Sequence, residues 1–234
     1  MKGRTYFLGV FALSLLLMVS FVAAQPLGAE TADVIESSRF EEEIAPQEVD
    51  AQAGNVTELS LHGLSVTRHW QGFYGNITGE IVLADSSGNN FYDWNVSVPT
   101  GQVYASRNDA VSWDTILCPD VTDISDEAAA LGQSPDDPDS VNNTFTNTDH
   151  PAFEVGGQAI TGCPTTQAYN ASGEQGNAFW QVLLKAGDDM VYTTIIEDTS
   201  PAGFDGLPWH FQLLVGEDGT DENPTPYYFY LELQ

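Results

Sequence analysis

From Val56 to Gln234 the chain is written in short runs of apolar, β-branched and aromatic residues, cut apart by turns. "VTELSLHGLSVTRHW" alternates Leu59 and Leu61 with Ser60 and His62, the period of a strand. "NITGEIVLADSSGNN" passes through Ile77, Ile81 and Leu83, then stops at a Ser-Ser-Gly-Asn-Asn turn. "FYDWNVSV" resumes after it, and the pair predicts a hairpin. "GQVYASR", "AVSWDTILC", "NAFWQVLLKAG", "DMVYTTIIED", "PWHFQLLVGE" and "PYYFYLELQ" continue the pattern, with a second hairpin signal at "AGDD". Helical periodicity is confined to "ISDEAAALG". About eight or nine strands predict an all-β fold, an antiparallel β-sandwich of immunoglobulin-like or jelly-roll-like kind.

One domain, 55–234, accounts for these runs. Residues 119–162 interrupt it with carboxylates and turn formers, and predict a long acidic loop insertion with few core residues. Cys118 and Cys163 bracket that insertion, each followed by proline at the end of a run. Paired with each other they would pin it at its base, closing a 45-residue loop, for about 4 kcal/mol in the chain-entropy model. No basic residue flanks either cysteine to favour a reactive thiolate.

Ahead of the domain, Lys2 and Arg4 precede an apolar run from Tyr6 to Ala24 that ends in Val-Ala-Ala. Residues 1–24 read as a secretory signal peptide; an uncleaved membrane anchor is the alternative. No cysteine follows the run, so no lipid anchor is expected. Residues 25–54 are rich in carboxylates and poor in large apolar groups, and read as a disordered acidic arm. Export fits a disulfide and places the protein outside the cell or at its surface.

Past Ala24 all 34 acidic residues remain, against four basic ones, Arg39, Arg68, Arg107 and Lys185, a mature charge of −30. Such a field repels nucleic acid and anionic membranes. It suits a chain kept dispersed in strong salt, where screening shrinks to a few ångströms.

The stretch "RHWQGFYGNITGEIVLADSSGNNFYDWNVSV", 68–98, mixes rings, glycines and two sugar-acceptor sequons. Alternation explains the mixture if the rings point into a core while Asn76 and Asn95 face solvent, one face buried and one wet. Asn55, Asn142 and Asn170 complete the sequons. The same stretch, with "GQVYASR", "WDTILCP" and "WHFQLLV…TPYYFYLEL", resembles a family of exported archaeal cell-surface proteins that share a W-x-G-F-Y-G-N-[IV]-[ST]-G segment. The likeness covers most of 56–234. It implies an archaeal envelope and carries no activity.

Catalytic signatures are lacking. The mature histidines His62, His69, His150 and His210 form no H-x-x-x-H pair, and no G-x-S-x-G elbow occurs. Calcium is the one cofactor the acids suggest, at Asp136, Asp137 and Asp139 of "PDDPDS" and at Asp218, Asp221 and Asn223 of "GEDGTDEN". Neither run has an EF-hand's twelve-residue loop. Trp70, Trp94, Trp113, Trp180 and Trp209 all lie in strand-like runs, where rings form core; exposed, they would instead make a carbohydrate-binding module.

The sequence therefore points to a non-catalytic, exported surface protein, structural or adhesive and adapted to high salt. Its partners would be envelope glycans or other surface proteins. A carbohydrate-binding module, a filament subunit built by strand donation and a secreted hydrolase are the alternatives. "PYYFYLELQ" is too apolar to stay unpaired, and pairing within its own domain predicts a monomer; donation of it or of 33–40 would give a filament.

Overall fold

The computed structural model describes residues 25–40, 44–220 and 224–234. The expected signal peptide, 1–24, lies outside the described residues, as do the calcium candidates Asp221 and Asn223. No described helix is long and apolar enough to cross a membrane.

Along the chain the strands are β1 (Leu27–Gly28), β2 (Trp70–Gly75), β3 (Gly79–Ala84), β4 (Asn90–Val96), β5 (Gly101–Ser106) and β6 (Ile116–Leu117). Helices α1 (Val121–Ala130) and α2 (Val141–Thr144) follow. Then come β7 (Phe153–Val155), β8 (Gln158–Ile160), β9 (Thr165–Tyr169), β10 (Gln175–Ala186), β11 (Asp189–Ile195), β12 (Phe211–Gly216) and β13 (Tyr228–Leu233). The fold is an all-β sandwich, antiparallel throughout.

Its main sheet runs β1-β13-β5-β11-β10-β6, with β9 sharing the outer edge of the long β10. Both faces of this sheet are buried. Val103, Ala105, Leu183 and Tyr192 face one core, which the ribbon β2–β12 and the two helices cover. Tyr104, Val182, Leu184 and Val191 face a second core, closed by Trp113 and the small hairpin β7–β8. Double burial explains why "VLL" of β10, Val182 to Leu184, is an unbroken apolar run and does not alternate.

Three expectations are corrected, besides that of a disordered arm over 25–54, whose Leu27–Gly28 instead joins the main sheet as β1. Residues 119–162 are not a loop poor in core residues. Ile124, Ala128, Leu131, Val141 and Phe145 enter the first core, and Phe153, Val155 and Ile160 enter the second. Asp120 and Asp123 form a reciprocal capping box that starts α1. Arg107 and Lys185 then fasten the helix to the sheet through Glu127 and Asp123.

The second correction concerns "VTELSLHGLSVTR". It forms no strand: residues 56–67 are exposed coil, with Leu61 86% exposed. The third concerns 68–98. The β3–β4 hairpin forms as expected, around Asp85, whose carboxylate accepts the Ser87 and Asn89 amides at 2.8 and 2.9 Å. Trp70, Phe73 and Ile77 of this stretch do pack on the first core, but the hairpin's own rings do not point into one. Phe91, at a bulge in β4, is 83% exposed and Trp94 50%.

Candidate functional site

Two surfaces stand out: the arm with the hairpin, and a cleft on the β2–β12 ribbon.

Pairing in the hairpin sets Ile81 opposite Trp94 and Leu83 opposite Tyr92. Alternation puts these four on one face, with the Tyr92 and Trp94 rings 4.9 Å apart. That face has no cover among the described residues; Ile81 and Leu83 are each about half exposed. The hairpin joins the body at Ile77, whose amide donates to Nδ1 of His210 at 2.9 Å. The arm reaches the body just before Trp70. There the Asp139 carboxylate accepts the Thr67 hydroxyl at 2.6 Å and lies 3.1 Å from His69 Nδ1, while the Trp70 indole donates to the Asp139 carbonyl at 2.6 Å. The Thr67 and His69 hydrogen bonds hold the Asp139 carboxyl below its usual range, Thr67 foremost.

The cleft, of about 790 Å³, is built on two buried amides. Gln181 of β10 donates to the Gln212 carbonyl at 2.6 Å and accepts the Leu214 amide at 2.8 Å, tying β12 to the main sheet. The Gln212 side chain in turn donates to the Tyr169 carbonyl at 3.0 Å and accepts the Phe204 amide at 2.9 Å. Each amide is satisfied, so the relay fixes the backbone beneath both rings. Tyr74 packs edge-on against Phe204 and Trp209, at 4.9 and 5.1 Å between centroids, and Asp205 accepts the Trp209 indole N–H at 2.9 Å. Tyr74, Tyr169 and Phe204 all line the cleft and remain exposed, Tyr169 by 58%. Residues 37–40 form part of its wall.

The residues singled out by sequence scatter. Cys118 and Cys163 are joined in a disulfide, Cα atoms 4.9 Å apart. Asn55, Asn76 and Asn95 are exposed; Asn142 is half-buried, its Nδ2 donating to Ser125 and its Oδ1 buried without a partner. Asn170 uses Oδ1 to accept the Ser172 amide in a turn. Among the described residues no three His, Cys, Asp or Glu side chains converge as a metal site. Asp137 accepts the Ser134 amide, Asp139 holds Thr67, and Asp218 accepts from Thr220. His150 is buried and accepts the Cys163 amide at Nε2, 3.0 Å away. Trp113 is core, Trp70 packs on Phe145 and Tyr192, and Trp94 is not core.

Sequence reasoning missed Gln181 and Gln212. The available signal was an amide inside an apolar run, "WQVLL" and "FQLLV", since a buried amide must find partners.

Compared with protein-family models, with curated proteins and with solved structures, the chain matches none of them.

Proposed function

We propose that this is an exported, non-catalytic structural protein of an archaeal cell surface, suited to high salt, whose copies associate through the arm and the β3–β4 hairpin. One observation carries the reading. Of the twenty-five large apolar side chains left exposed among the described residues, nineteen lie between Leu27 and Val98. The other six are spread over the much longer remainder of the chain, from Leu117 to Tyr228. Apolar groups scattered singly need no explanation, but a run of them on an unpaired extended segment, beside a hairpin with one bare apolar face, does.

No hydrogen bond among the described residues holds segment 56–66, so its peptide groups are available to another sheet. The monomer expected from the docking of the last strand is set aside on this ground. β13 does dock at home, beside β5, but what remains unpaired lies elsewhere.

Light scattering coupled to size exclusion tests the proposal on the mature chain, at about 0.15 M and about 1 M salt. The expected result is multimers at one or both salts. They should be lost in a Leu59→Asp, Leu61→Asp, Leu64→Asp variant whose melting temperature as a monomer is unchanged, because all three side chains are exposed. A one-chain mass for the unaltered protein at both salts refutes it.

A further inference from the structure

We infer that the cleft on the β2–β12 ribbon binds an acidic polysaccharide, a chain of sugar rings bearing carboxylates, separately from the association proposed above. The first ground is where the positive charge lies. After Ala24 there are only four basic side chains against 34 acidic ones. Two of them hold α1 on the sheet: Arg107 bonds Glu127, and Lys185 bonds Asp123 at 2.6 Å. The other two, Arg39 and Arg68, both line this cleft. No described residue bonds the exposed Arg68 guanidinium.

Acidic groups are correspondingly scarce there. Glu217 is the single carboxylate among the described lining residues. Its two oxygens accept the Gly219 and Thr225 amides at 2.9 and 3.0 Å, so backbone N–H groups already occupy it. Among the described residues, the cleft's lining is poorer in carboxylates than the chain as a whole.

The second ground is the platform. Tyr169 and Phe204 are exposed on backbone fixed by the Gln181–Gln212 relay, Tyr74 is exposed on the strand paired with Gln212, and the volume of about 790 Å³ fits the range of ligand sites. Exposed rings on a rigid base stack on flat, C–H-rich faces such as those of pyranose rings. Arg68 supplies a planar fork that matches a carboxylate. Rings and cation together describe a charged sugar better than an acidic peptide, which offers carboxylates without flat apolar faces. The overall negative charge does not forbid the encounter in strong salt. At about 1 M the screening length is about 3 Å, so the charges within the cleft decide.

Titration calorimetry of the mature chain in about 1 M salt provides the test. The probes are a polygalacturonate oligosaccharide, a neutral glucan of equal length, and a peptide of residues 41–50 for the competing occupant. The uronate oligomer should bind, the glucan at least tenfold more weakly, and the peptide not at all. Arg68→Gln and Tyr169→Ala should each weaken uronate binding about tenfold. Both side chains are exposed, so an unchanged circular dichroism spectrum and melting temperature are expected. Absence of uronate binding, equal affinity for the glucan, binding of the peptide alone, or indifference to Arg68→Gln would each overturn the assignment.

Discussion

Asp139 and Thr67, 72 residues apart in the chain, meet at 2.6 Å, and their hydrogen bond marks where the exposed arm ends and the packed body begins. Asp139→Ala removes that bond and the contact with His69. Because the Asp139 side chain is 41% exposed, solvent screening limits the cost to about 1 kcal/mol. Limited proteolysis should show the change more sharply than melting. In the unaltered protein cleavage should stop before Thr67, and in the variant it should extend toward Trp70. An unchanged fragment pattern would show that the arm is anchored elsewhere.

Burial raises three carboxyls above their usual range. Glu127 is raised against the opposing pull of Arg107 and Tyr192, Glu197 against the Phe179 amide, and Glu232 against Tyr104 and the Gly156 amide. A carboxyl raised in the folded state holds its proton more tightly there than when unfolded. Its stabilising effect is therefore complete below the unfolded value and is lost as pH rises through the folded one. Asp123, led by Lys185, and Asp139 are lowered, so their contribution is lost as pH falls through their folded values, below 3.8. Melting temperature should climb from about pH 7 to about pH 5 and decline below about pH 3.5. Calorimetry at fixed ionic strength checks this, and Glu127→Gln with Glu232→Gln should flatten the rising limb. A flat profile between pH 7 and pH 5 in the unaltered protein would contradict it.

The mature charge of −30 repels itself within one small domain. Raising salt from about 0.1 M to about 1 M shortens the screening length from about 10 Å to about 3 Å. The melting temperature should rise over that interval, and one that stays level or drops removes the high-salt reading.

The Cys118–Cys163 bridge joins β6 to the strand-rich half of the chain across 45 residues. Mass spectrometry of unreduced peptides should recover the linked pair. A Cys118→Ala, Cys163→Ala variant should lose about 4 kcal/mol if chain entropy governs the effect. Free thiols in freshly exported protein would refute the first expectation.

What the sequence disclosed depended on where each partner lay. The β3–β4 and β10–β11 hairpins were legible because their partners are adjacent and the turns carry Asp85 to Asn89 and Gly187-Asp188. The alternation of Leu59 and Leu61 was equally legible and gave the wrong local answer. Periodicity reports that a segment suits a half-buried strand; it does not say that the burying surface belongs to the same molecule. In 119–162 the core residues Ile124, Ala128, Leu131 and Val141 are diluted by carboxylates, so composition concealed them. The cleft left no motif, since Arg39, Arg68, Tyr169 and Phe204 converge only when β2, β9 and β12 are in place.

The position of β13, between β1 and β5, imposes an order of events on the making of the protein. A chain emerges from its amino-terminal end, so the two neighbours of this strand exist long before it does. Tyr104 and Glu232, bonded at 2.9 Å, are 128 residues apart, a separation that makes closure slow. Until β13 inserts, the main sheet has a gap beside β5 and both cores lack side chains, Phe229 and Leu231 on one face and Tyr230 on the other. Folding thus cannot finish before residues 228–233 have been delivered, and the exposed segment 56–66 is in the open before its own sheet is complete.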